Sequence, residues 1–187
     1  MNTGREFPAT IARSDSILLL IDFQSRLMPA IAAAAEVVSR AAFLAKVARR
    51  LEVPIVATEQ NPRGLGPTVP ELTAYARNPV EKLTFDAFSD RALLSRLPEG
   101  RQTIVVAGCE THVCVLQTVL GLLAARYRVK VAVDATGSRH DTDKQAAVSR
   151  MAAHGAELVT VEMVAFEWLE AADDPAFKAV LELIKPF

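Results

Sequence analysis

The chain has 187 residues, and its 21 lysines and arginines nearly balance its 22 aspartates and glutamates. That near-neutral surface gives no electrostatic argument for nucleic acid or for anionic lipid as a partner. No apolar run is long enough to span a bilayer and no basic-then-apolar leader opens the chain, so the expected setting is cytoplasmic, with both cysteines free.

Read in order, Met1 to Ser14 is polar and mixed and is expected to drape over the surface or a neighbour. Asp15 to Asp22 encloses the first buried strand, an apolar run closed by an acid. Ala32 to Leu51 is an alanine-rich amphipathic helix, and Val53 to Thr58 is the second strand. The Pro- and Gly-dense loop Glu59 to Glu71 is long for a compact domain, which is the mark of a functional loop. Asn78 to Leu83 reads as a short strand carrying Lys82, and Asp90 to Leu97 as a helix.

Thr103 to Ala107 is a buried strand that Gly108 breaks, and helical spacing starts at Thr111 with Val115, Leu116, Val119, Leu122 and Leu123. Val129 to Val133 is the next strand, followed by a helix from His140 to His154, stopped by Gly155. Ala156 to Val161 is the last strand, and Met163 to Leu169 and Pro175 to Lys185 are closing helices. Strands alternating with helices predict an α/β domain with a parallel sheet covered on both faces, without an internal boundary from 1 to 187.

Cys114 falls in the first turn of a helix that follows a buried strand, where the helix N-terminus favours a thiolate. A free cysteine is more often a small buried hydrophobe, and Cys109 reads that way. His112 could serve Cys114 as a base, but a solvated cap neighbour is the commoner use of such a histidine. Asp22 and Lys82 also lie at strand ends, where an open α/β sheet binds its ligands. Brought together, the three have a mechanism: thiol attack on an electrophilic carbon, the aspartate as acid and base, the ammonium as charge stabiliser.

Four stretches resemble the isochorismatase-like cysteine hydrolase superfamily, which includes nicotinamidases and N-carbamoylsarcosine amidase: Ser16 to Gln24, Glu81 to Phe88, Ala107 to Thr118 and Val133 to Ser138. The resemblance implies a three-layer α/β/α fold with a six-stranded parallel sheet and an Asp22, Lys82, Cys114 triad. It also implies an oxyanion hole built from the N–H groups of Glu110 and Cys114, with a cis peptide between Cys109 and Glu110. Phe23, Gln24, Gln60, Phe85, Thr111 and His112 are the matching candidates for contact with a small-molecule substrate. It further implies a homo-oligomer, and in a chain this apolar the closing segment Met163 to Leu169 is a candidate patch to be covered.

The three histidines, His112, His140 and His154, all lie outside the loop where nicotinamidases hold a metal, and Gln60 and Asn61 are weak ligands in their place. No metal or other cofactor is therefore expected, and Asp86 stands where relatives often carry serine. The reading is a C–N bond hydrolase for a small amide. Its alternatives are vinyl ether hydrolysis of the isochorismatase type, disfavoured because those enzymes lack the cysteine, and a redox-responsive or structural oligomer.

Overall fold

A computed structural model describes residues 10–89 and 91–185. Its centre is a sheet of β1 (Ser16–Ile21), β2 (Ile55–Gln60), β3 (Val80–Lys82), β4 (Thr103–Cys109), β5 (Arg128–Gly137) and β6 (Glu157–Val159). All neighbours are parallel, in the order β3-β2-β1-β4-β5-β6. The parallel α/β sheet is as the element order predicts, and its six strands are as the family resemblance implies.

Strand alternation divides the core into two layers. Leu18, Leu20, Val105 and Ala107 face α1 (Ala34–Arg50) and, further along the chain, the helix Val161–Leu169. Ile17, Leu19, Ile21, Ile104 and Val106 face the helices Leu116–Ala124 and Asp141–Ala153 through Val119, Leu122, Ala147 and Met151. A strand covered on both faces favours apolar side chains, which is why Ile17 to Ile21 of β1 and Ile104 to Ala107 of β4 are apolar at successive positions. Numbered in chain order, the remaining helices are α2 (Pro62–Leu65), α3 (Pro70–Thr73), α4 (Arg91–Leu94), α5 (Leu116–Ala124), α6 (Asp141–Ala153), α7 (Val161–Leu169) and α8 (Phe177–Ile184).

Several expectations need correction. Gly108 does not break β4, which pairs with Ile21 of β1 at Gly108 and continues to Cys109 opposite Gly137 of β5. A Cβ on Gly108 would lie 2.5 Å from the Ile21 carbonyl oxygen, so the glycine permits close approach. β5 runs on to Gly137 through a register shift opposite Ala107, and Asp134 within it accepts a hydrogen bond from the Val161 N–H that starts α7. The helical segment after β4 opens as a π turn, Thr111–Val115, before α5. Residues 1–9 and 90 lie outside the described residues, but Ile11 is buried rather than draped, its N–H donating to Glu167 Oε2 at 2.6 Å. Trp168 is fully buried too, and its Nε1–H donates to Ser16 Oγ at 3.0 Å, which fastens α7 to the start of β1. Only Met163 and Phe166 of the expected apolar patch are exposed among its large side chains.

Candidate active site

The strand order reverses between β1 and β4, so the chain leaves their carboxyl ends in opposite directions, at the point where open α/β sheets bind their ligands. Asp22 follows β1, Glu110 follows β4, and Lys82 closes β3 two strands away. Asp22 has φ of 53°, a left-handed conformation that Asp and Asn tolerate better than other side-chain-bearing residues. This kink ends the strand and accompanies an Asp22 N–H bond to Thr58 O at 3.2 Å.

Lys82 Nζ donates to Asp22 Oδ2 at 2.7 Å and to Gln60 Oε1 at 2.8 Å, and both members of the ion pair have fully buried side chains. Thr58 Oγ1 donates to the other carboxylate oxygen, Asp22 Oδ1, at 2.6 Å. Desolvating two charges is costly, and these additional hydrogen bonds are what make such burial tolerable. Thr58 is absent from the candidates drawn from sequence. Its signal is the register, since Thr58 pairs with Ile21 beside the acid.

Cys114 completes the group from the π turn and is 6 % exposed. Burial pushes its thiol up to about 12, and the Asp22 carboxylate pushes in the same direction while the Lys82 ammonium opposes both. This direction runs against the thiolate expected from the helix terminus. The cause is dehydration together with a neighbouring anion, which outweigh the nearby cation and the partial charge of the helix end. The arrangement therefore suits proton removal during attack rather than a standing thiolate.

The other candidates separate by what they touch. Gln24 donates to Gln60 O at 3.0 Å and Gly66 O at 2.7 Å and accepts from the Gln60 N–H at 2.8 Å, so its amide braces the loop after β2. Gln60 holds Lys82 and donates to Leu83 O at 2.9 Å, which commits both ends of its side chain. Phe23 packs into the core on the α1 side, whereas Phe85 is exposed on the rim with Leu83. The His112 ring bonds Ser138 Oγ at 3.0 Å and is thereby directed to the β5–α6 connection. Thr111 is fully buried, and its Oγ1 has no hydrogen-bond partner among the described residues. Asp86 accepts from the Phe88 N–H at 2.8 Å and packs against Gly121, forming a tight turn.

The Cys109–Glu110 peptide is cis, as expected. The Cys109 side chain is buried against Gly137, and desolvation raises its thiol to about 12. Among the described residues no three His, Cys, Asp or Glu side chains cluster in a way that could hold a metal ion, and no helix is long and apolar enough to cross a membrane. Beside β3 a cavity of about 620 Å³, lined in part by Arg63, Lys82 and Leu83, opens toward solvent.

Residues 16–163 match the isochorismatase domain, and the chain belongs to that family. It is 42% identical to mouse isochorismatase domain-containing protein 2A over 188 residues, covering 99% of this chain and 90% of the relative. In structure it resembles MAR1 ribonuclease from Caenorhabditis elegans, with a TM-score of 0.87, 36% identity, and coverage of 95% of this chain and 93% of the other. It also resembles YcaC from Pseudomonas aeruginosa, solved with hexane-2,5-diol and covalent acrylamide. There the TM-score is 0.86 and the identity 26%, over 96% of this chain and 94% of that one.

Proposed function

We propose that the chain is a cysteine hydrolase that cleaves a C–N bond of a small amide. The observation that carries this is the fully buried Asp22–Lys82 pair acting on the Cys114 thiol. A scaffold gains little from an ion pair at this position, because well-packed apolar residues of similar volume would serve stability as well or better. In the proposed reaction the Cys114 sulfur attacks the amide carbon as its proton passes to Asp22. The carbonyl electron pair moves to oxygen, where the N–H groups of Glu110 and Cys114 hold it. Asp22 returns the proton to the departing nitrogen, leaving a thioester. Water, deprotonated by Asp22, then releases the acid and restores the thiol. Lys82, as its counter-ion, keeps Asp22 oriented throughout. No metal or other cofactor takes part in this scheme.

A solved relative bearing covalent acrylamide supports a reactive nucleophile in the family, since acrylamide adds to soft nucleophiles such as thiols. Another relative is called a ribonuclease, but the central cation in this chain is already neutralised by Asp22 rather than free to meet a phosphodiester. Vinyl ether hydrolysis is the weaker reading because it leaves Cys114 without a role.

A screen of small amides, ureides and hydroxamates, assayed for ammonia or amine release, tests the proposal. Turnover is expected from the native chain, and Cys114→Ala should lower it by about a thousandfold or more, as loss of a nucleophile does. Equal turnover by both proteins would sink the cysteine mechanism.

We further propose that the chain associates with itself through the face carrying Met163 and Phe166, which are 47% and 42% exposed. Two large apolar side chains one helical turn apart form a patch that a second copy can cover. Light scattering at micromolar concentration should give a multiple of the 20.2 kDa chain mass, falling to that mass in Met163→Glu/Phe166→Glu. A native chain that scatters as a monomer refutes this.

A further inference from the structure

The π turn that presents Cys114 is also held from the outside. β4 pairs with β5 up to Cys109 opposite Gly137, which brings Ser138 and Arg139 alongside Glu110 and His112. Arg139 Nε donates to Glu110 Oε1 at 2.9 Å, and His112 Nδ1 shares a hydrogen bond with Ser138 Oγ at 3.0 Å. His112 Nε2 lies 4.0 Å from Asp143 Oδ2, too far for a hydrogen bond. Thr111, the residue between them, has no side-chain hydrogen-bond partner among the described residues. Among the described residues, the side-chain hydrogen bonds that fasten the turn are thus the two links to the β5–α6 connection.

We propose that Arg139 and Ser138 are positioning residues that form a two-point latch on the oxyanion-holding turn. This rests on the hydrolase reading above and assigns the turn's supports. Arg139 is 55% exposed and Glu110 12%, so their solvent-screened pair adds little to folding stability. Its value is geometric, because a displacement of about 1 Å in a reacting group can cost on the order of a hundredfold in rate. The latch therefore predicts variants that keep their stability and lose their hold on a developing oxyanion.

Two probes distinguish these effects without a known substrate. Iodoacetamide alkylates Cys114 by displacing iodide and develops no oxyanion. Propionaldehyde takes the Cys114 sulfur at its carbonyl carbon, the carbonyl electron pair moves to oxygen, and the thiol proton passes through Asp22 to give a hemithioacetal. Its binding is read as protection of Cys114 from iodoacetamide, with labelling located by peptide mass spectrometry.

Arg139→Gln and Ser138→Ala are each expected to weaken aldehyde protection by about tenfold, a fraction of the loss of a whole oxyanion donor, with the labelling rate kept within about twofold. Arg139→Lys should restore most of the protection, and Asp143→Asn should change neither reading. Equal falls in labelling and protection, or unchanged protection in both latch variants, would overturn the latch while leaving the hydrolase reading standing. A native chain labelled at Cys114 but not protected by the aldehyde removes the oxyanion site and the latch together. A native chain not labelled at Cys114 overturns the cysteine mechanism as well.

Discussion

Asp22→Asn is expected to destabilise the fold by about 3–5 kcal/mol, because Lys82 is left buried and charged without its counter-ion. For a chain of this size that corresponds to a fall in melting temperature of roughly 6–20 °C. Asparagine suits the left-handed backbone at this position, so the loss reports the charge rather than the chain geometry. The double variant Asp22→Leu/Lys82→Met should recover part of the stability, since it removes both charges. A single variant as stable as the native chain would mean that Lys82 does not depend on the pair.

The same variant discriminates between two roles for Asp22. The carboxylate raises the thiol pKa, so if Asp22 acted only as a charge, its removal would speed alkylation of Cys114. If it is the base that takes the proton, alkylation slows and turnover falls by about a hundredfold or more. We expect slower alkylation, and faster alkylation would remove the acid–base role.

Alkaline pH should destabilise the protein strongly. Both buried thiols are raised from the reference value of 9.0 to about 12 by desolvation. In the interval from pH 9 to 12 the unfolded chain loses these protons while the folded chain keeps them. Stability is thus intact below pH 9 and declines as pH rises toward 12. The two thiols act in the same direction, and domains have little stability to spare against such a loss. Urea unfolding from about pH 8 to 11 should show the decline, and Cys109→Ala should make it shallower even if its absolute stability is lower. Identical slopes would show that Cys109 does not contribute.

What could be read from the sequence follows from which constraints act locally. β1 and β4 are legible because two-sided coverage favours unbroken apolar runs, Ile17 to Ile21 and Ile104 to Ala107, and Asp22 and Cys114 are legible by their place after such strands. The tail of β5 is not legible, because Asp134, Thr136 and Gly137 carry no apolar pattern and their strand geometry comes from pairing with β4. Gln24 and Gln60 look available for a ligand in sequence, yet packing commits their amides to backbone and to Lys82. The thiol's protonation state is equally hidden. Local position points to the favourable helix end, while the opposing desolvation and Asp22 charge exist only once distant strands have assembled.

Placing β1 between β2 and β4 has a consequence for the growing chain on the ribosome. Thr103, which pairs with Ser16, is synthesised 87 residues after it. At about 5–20 residues per second, β1 therefore waits roughly 4–17 s with one hydrogen-bonding edge open. Its run Ser16–Ile21 is entirely buried in the finished fold and carries no charge to discourage pairing with another nascent chain. Arrest of synthesis before β4 has emerged from the ribosome should thus leave a species prone to aggregate, whereas arrest after Cys109 has cleared the exit tunnel leaves both edges of β1 filled.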